Sequence, residues 1–288
     1  MTTATARSDG NLGRATSPLP RFMYGTAWKE ERTEPLTRLA LEAGFRAIDT
    51  ANQRKHYFEA GVGAAVGAAV AEGRVTRAEL FLQTKFTFRD GQDHRLPYDA
   101  RAGVEAQVAQ SFASSLEHLG TDYVDSYVLH GPSVGRGLAA ADRAAWHAME
   151  ELQRSGRTRY LGVSNVTREQ LELLLGMATV PPAFVQNRCY ARKGWDRDVR
   201  ALCRTHGIVY QGFSLLTANA RELSLPALRG IAARAHGSPA QIVFRMAAGL
   251  GMLPLTGTSS AEHMRQDLAA LDLVLGPDEL SALERLSG

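Results

Sequence analysis

The sequence predicts an α/β fold, a (β/α)8 TIM barrel, on three observations. Eight short apolar runs alternate with segments of helical spacing, which implies a parallel sheet. Three of those runs close on polar residues of different chemistry: 45–49 on Asp49, 80–85 on Lys85 and 123–130 on His130. After the first run, Gly25-Thr26-Ala27-Trp28-Lys29-Glu30 lacks the GxGxxG turn expected of a doubly wound dinucleotide-binding sheet. In one closed sheet, Asp49, Lys85 and His130 gather at the C-terminal edge, where barrel enzymes carry their chemistry.

The elements follow in order. Residues 21–25 read as the first strand. Leu36, Leu39, Ala40 and Ala43 sit at helical spacing in 34–43, and Gly44 stops that helix. Strand 45–49, helix 58–72, strand 80–85 and helix 101–119 come next. Gly120 ends that helix before strand 123–130. Helix 138–155 ends at Gly156 and leads to strand 158–163. Helix 167–176 precedes strand 183–187. Helix 195–206 ends at Gly207 before strand 208–213. Segments 225–236 and 238–250 are helical, then strand 252–256 and helices 260–271 and 277–286 complete the pattern. Residues 1–20 are polar and small, and a mobile N-terminal tail is expected there. That leaves 21–288 as one barrel domain.

Of 288 residues, 44% are hydrophobic and 22% charged, which fits a soluble enzyme or binding protein. The net charge is +3 and no Lys/Arg block occurs, so nucleic acid is not an expected partner. No apolar stretch reaches the roughly 18 residues of a membrane span. The first 20 residues lack the apolar centre of a secretory signal. Cys189 and Cys203 show no metal-ligand spacing and fit a reduced, cytoplasmic compartment. No metal is expected, and a monomer is.

Lys85 stands out. Only four of the 33 Lys plus Arg residues are lysine, at 29, 55, 85 and 193, and one of them lies in an apolar strand. An ammonium there loses hydration and needs a partner. Asp49 is the expected one.

Several blocks together carry a family resemblance. They are Gly44-Phe45-Arg46-Ala47-Ile48-Asp49-Thr50-Ala51, Phe81-Leu82-Gln83-Thr84-Lys85, the stretch from Asp122 to Pro132, Gly162-Val163-Ser164-Asn165 and Gln186-Asn187. In this order and spacing the chain resembles the aldo-keto reductases over about 21–286. The resemblance implies a barrel that reduces an aldehyde or ketone with NADP, or with NAD, through an Asp, Tyr, Lys and His tetrad. Hydride addition to a carbonyl develops negative charge on oxygen, which a positioned acid must protonate. A lysine beside a tyrosine lowers the phenol's pKa. Asp49 would hold Lys85, and His130 would orient the carbonyl. Rival readings on the same scaffold are a nucleotide-binding regulatory protein and a biosynthetic isomerase, dehydratase or cyclase.

The tyrosine position departs from the family. The loop after Asp49 is two residues longer than the pattern. Aligning Glu59 and Val62-Gly63 with the next family block puts His56 at the tyrosine's place. Tyr57 is the only phenol in the loop and is the expected acid, with His56 as the alternative. The resemblance further implies that Ser164, Asn165 and Gln186 hold the nicotinamide carboxamide, with Phe213 against the ring. Ser214 and Leu216 follow in a pyrophosphate-facing loop, and Gly25 and Thr26 approach from the first strand. At the adenosine end, the family's Lys-Ser followed by Arg has Gly257 at the lysine position and His263 at the arginine position. Thr258, Ser259 and the next helix N-terminus offer phosphate contacts, and Arg265 added charge. NADP preference is therefore expected to be weakened. Trp28, with His94, Arg95 and Tyr98 from the long loop 86–102, is expected to line the substrate pocket. The chain stops soon after the last helix, so a more open site is expected.

Overall fold

The computed structural model describes residues 19–286; of the expected tail at 1–20, only Leu19 and Pro20 fall within them. Eight parallel strands close into one barrel in sequence order. They are β1 (Met23–Gly25), β2 (Ala47–Asp49), β3 (Phe81–Phe86), β4 (Val124–Leu129), β5 (Thr158–Ser164), β6 (Phe184–Arg188), β7 (Val209–Phe213) and β8 (Met252–Thr256). The last strand returns to the first, with Met23 opposite Leu255.

The helices form the outer ring. They are α1 (Thr33–Ala43), α2 (Glu59–Ala71), α3 (Val104–Leu119), α4 (Ala140–Arg154), α5 (Arg168–Met177), α6 (Arg197–Thr205), α7 (Ala220–Leu223), α8 (Pro226–Arg234), α9 (Pro239–Gly249), α10 (Ala261–Ala269) and α11 (Pro277–Glu284). Gly44 ends α1 with φ 112°, a conformation that β-carbons disfavour. Thr167 and Ser238 cap α5 and α9 by accepting the backbone N–H groups of Gln170 and Gln241. At the α2–α3 crossing, a Cβ on Gly63 would sit 2.0 Å from the His118 carbonyl oxygen, so no side chain fits there. The short α7 was absent from the sequence reading, and the expected helix 195–206 begins as a 3-10 turn over Ala191–Asp196.

Strand alternation builds two shells. Ile48, Leu82, Phe86, Tyr127, Leu161 and Tyr210 face outward into the apolar layer under the helices. Met23, Ala47, Phe81, Phe184, Leu253 and Leu255 pack inside the barrel. On β3 the inward series runs Phe81, Gln83, Lys85, and the same alternation continues to Thr87. The lumen thus passes from apolar residues at the strand starts to polar ones at the strand ends. Among the described residues, no helix is long and apolar enough to cross a membrane.

Candidate active site

The strand ends open into a cavity of about 1030 Å³. Asp49, Tyr57 and His130 line it, with Lys85 buried immediately below. Lys85 is fully buried, and its Nζ donates to Asp49 Oδ1 at 2.6 Å and to the Thr50 carbonyl at 2.8 Å. The same Oδ1 accepts from Gln83 Nε2 at 2.7 Å and Gln186 Nε2 at 3.1 Å. Gln211 joins the two glutamines, with its Oε1 2.9 Å from Gln83 Nε2 and 3.0 Å from Gln186 Nε2. Three donors therefore converge on one carboxylate oxygen and replace the water it has lost. Burial pulls Lys85 below its ordinary pKa, and Asp49 opposes that pull.

Tyr57 lies over this pair, its ring centroid 5.2 Å from Lys85 Nζ. Its ring meets His130 edge-on at 5.9 Å. Its hydroxyl has no hydrogen-bond partner among the described residues. Burial first, and then the Asp49 charge, raise the phenol above its ordinary pKa. The sequence reading expected Lys85 to lower it. Burial prevails, and the phenol keeps its proton near pH 7. His130 Nδ1 lies 2.7 Å from Thr87 Oγ1. Burial, then Lys85, then His56, hold its imidazole well below the usual range, so it is neutral near pH 7.

The turn after Asp49 explains the two-residue expansion. The backbone N–H groups of His56 and Tyr57 both donate to the Gln53 carbonyl, at 3.0 and 2.9 Å. Gln53 Nε2 donates to the Gly91 carbonyl at 2.6 Å, and Gln92 Nε2 returns to the Asn52 carbonyl at 2.8 Å. The long loop 86–102 therefore braces the turn that carries Tyr57. His56 lies against Trp28, ring centroids 3.9 Å apart and tilted by 39°, and contacts Gln53 Oε1 through Nδ1 at 2.9 Å, on the rim of the same cavity.

Gly25, Ser164, Asn165, Gln186, Phe213, Ser214, Leu216, Gly257 and Thr258 line the cavity, as do Trp28 and His56. Asn165 Nδ2 donates to the His130 carbonyl and Ser164 Oγ, and Gln186 Nε2 donates to Asp49 and Gln211. The amide oxygens of Asn165 and Gln186 have no partner among the described residues. Two free acceptors in the wall match the N–H groups of a carboxamide.

Other expected residues lie elsewhere. Thr26 is fully buried and donates to the Asp49 carbonyl at 2.9 Å, bracing the wall from behind. Ser259, His263 and Arg265 are exposed on the α10 side and do not line the cavity. His94, Arg95 and Tyr98 do not line it either. His94 is exposed, Arg95 is held in an ion pair with Asp93, and Tyr98 is buried with its hydroxyl on the Thr87 carbonyl at 2.9 Å. Arg95 and Tyr98 thus brace the loop, while its Thr87, Phe88, Asp90 and Gly91 line the cavity.

Sequence reasoning missed Gln83, Gln211, Thr87 and Lys29. The first three were legible as polar residues on the alternation that places Lys85 and Gln186 inward. Lys29 is 7% exposed, lines the cavity and donates through Nζ to the Gly257 carbonyl. That Nζ lies 3.7 Å from where a Cβ at 257 would stand, an ordinary contact distance, so a cation stands beside this position. Burial, then Arg32, lower its pKa.

The closed barrel, with an ion pair, a phenol and a neutral imidazole at the base of a cleft beside strand ends, defines the class of (β/α)8 barrels with a candidate site at the C-terminal strand edge. Comparison with known proteins narrows this class. The model of the aldo/keto reductase family matches residues 22–287. The chain belongs to that family and is an oxidoreductase. It is 33% identical over 252 residues to an aldo-keto reductase of Mycolicibacterium vanbaalenii, covering 86% of this chain and 80% of the relative. It is 32% identical to deoxymugineic acid synthase 1 of Oryza sativa, covering 94% of this chain and 88% of that protein. The crystal structure of an aldo/keto reductase from Brucella melitensis superposes with a TM-score of 0.78 at 28% identity, covering 93% of this chain and 95% of the other.

Proposed function

We propose that this chain is an NAD(P)H-dependent reductase of small aldehydes or ketones, with Tyr57 as the general acid. The observation that carries the reading is Tyr57 above the buried Lys85–Asp49 pair and beside His130, at the base of the cavity. When bound, a reduced nicotinamide dinucleotide supplies the hydride. Asn165 and Gln186 would accept hydrogen bonds from its carboxamide, Phe213 would flank the ring, and Lys29 would meet a phosphate. Negative charge develops on the carbonyl oxygen of the substrate, and Tyr57 gives that oxygen its proton. Lys85 then holds the phenolate until solvent reprotonates it. The phenol is fully protonated at the start, so the acid is loaded, and the approaching charge makes the transfer favourable. His130 orients the carbonyl. The chain would act on a small-molecule substrate as a monomer.

The test is NADPH or NADH oxidation with a panel of aldehydes and ketones, with the alcohol product quantified. The expected result is carbonyl-dependent oxidation with one alcohol formed per cofactor consumed. Saturable cofactor binding without turnover of any carbonyl would overturn the reductase reading.

A further inference from the structure

We propose that Thr87 is a positioning residue that fixes His130 in the tautomer carrying its proton on Nε2. This rests on the reading of His130 as the group that orients the carbonyl. A neutral imidazole has one N–H, and the bond made by one ring nitrogen decides where the proton sits. His130 Nδ1 is 2.7 Å from Thr87 Oγ1. Among the described residues, that hydroxyl has no other hydrogen-bond partner, and His130 Nε2 has none at all. If Thr87 donates to Nδ1, the ring proton stands on Nε2, the nitrogen left for the cavity. Nε2–H then donates to the carbonyl oxygen. In the opposite arrangement Nδ1–H donates to Thr87, and an Nε2 lone pair would face the lone pairs of the substrate oxygen and repel them.

The surroundings fix Thr87 itself. It is 6% exposed and lines the cavity. Its carbonyl accepts from Tyr98 Oη at 2.9 Å and from Gln92 Nε2 at 3.4 Å. The His130 backbone is held separately, its N–H on the Phe86 carbonyl at 2.9 Å and its carbonyl under Asn165 Nδ2 at 2.8 Å. Ring rotation and tautomer are therefore the freedoms left for a side-chain contact to settle. Burial, then Lys85 and His56, disfavour an imidazolium here, so the neutral ring is the species in question. Besides bracing the turn that carries Tyr57, the loop 86–102 reaches His130 through the Thr87 hydroxyl.

The experiment pairs nitrogen-15 NMR of the histidine side chains with kinetics for wild type, Thr87→Val and Thr87→Ser. Valine keeps the shape and removes the donor; serine keeps the donor. A His130→Asn sample assigns the signal. Wild-type His130 is expected to show a protonated Nε2 and an accepting Nδ1 at pH 7.5. Thr87→Val should show a mixture of tautomers and a kcat lower by roughly tenfold, about the worth of one buried hydrogen bond. Thr87→Ser should restore both. Circular dichroism checks that each variant is folded. A protonated Nδ1 in wild type, or a Thr87→Val protein with unchanged tautomer and kcat, overturns the assignment. A wild type that reduces no carbonyl sinks the reductase reading alone, because the NMR result still decides the tautomer.

Discussion

Asp49 takes three donors on one oxygen, and this explains how a lysine survives at zero exposure inside a barrel. An ion pair without Gln83 and Gln186 would leave the carboxylate short of hydrogen bonds. Lys85→Met should therefore fold with reduced stability. Its kcat should fall by at least about a hundredfold, within the usual contribution of general acid catalysis. Steady-state kinetics at saturating cofactor checks this, and near-normal kcat would remove Lys85 from the proton path. The residue scale also shows what the sequence alone left open. Counting along the loop places His56 where the family has tyrosine. The turn on the Gln53 carbonyl instead brings the Tyr57 ring over Lys85 and turns His56 onto Trp28. A one-residue shift inside a loop has no sequence period to reveal it.

At the scale of elements, the strands and most helices were legible because alternation and 3.6-residue spacing are strong signals. The loops were not. The stretch 86–102 stands out by its length, yet the cavity is lined by its Thr87, Phe88, Asp90 and Gly91 and not by the expected His94, Arg95 and Tyr98. Its Gln92 and Tyr98 hold backbone carbonyls, which no composition pattern marks. A second link joins β8 to α10. Thr256 Oγ1 donates to Asp267 Oδ2 at 2.7 Å, and burial pushes the Asp267 carboxyl up to about 6. A carboxyl raised on folding stabilises fully below its unfolded value near 3.8 and loses that contribution as pH rises through about 6. Asp267→Asn should therefore leave stability unchanged near pH 4 and raise it at pH 7.5 by on the order of 2 kcal/mol. Urea unfolding at the two pH values measures the difference. An equal effect at both would show that the carboxyl does not titrate in this window.

For the whole molecule, the sequence located the face of the barrel that carries the cavity, and the strand-end residues Ser164, Asn165, Gln186 and Phe213 all reach its wall. The end proposed for adenosine was less legible, because Lys29 approaches Gly257 from the loop after β1, 228 residues away in the chain. One cation at that place, without a second from Arg265, predicts a modest choice between cofactors. The ratio of kcat/KM for NADPH over NADH should stay below roughly a thousandfold, equivalent to about 4 kcal/mol. A larger ratio would mean that a stronger phosphate site exists. The central claim is that Tyr57 delivers the proton. Its most direct measurement is kcat for Tyr57→Phe and His56→Ala with one carbonyl substrate at saturating NADPH, with cofactor binding checked by fluorescence. Tyr57→Phe should bind NADPH as wild type does and lose at least about a hundredfold in kcat, while His56→Ala loses less. A Tyr57→Phe enzyme with near-normal kcat beside an inactive His56→Ala enzyme would contradict the tyrosine mechanism.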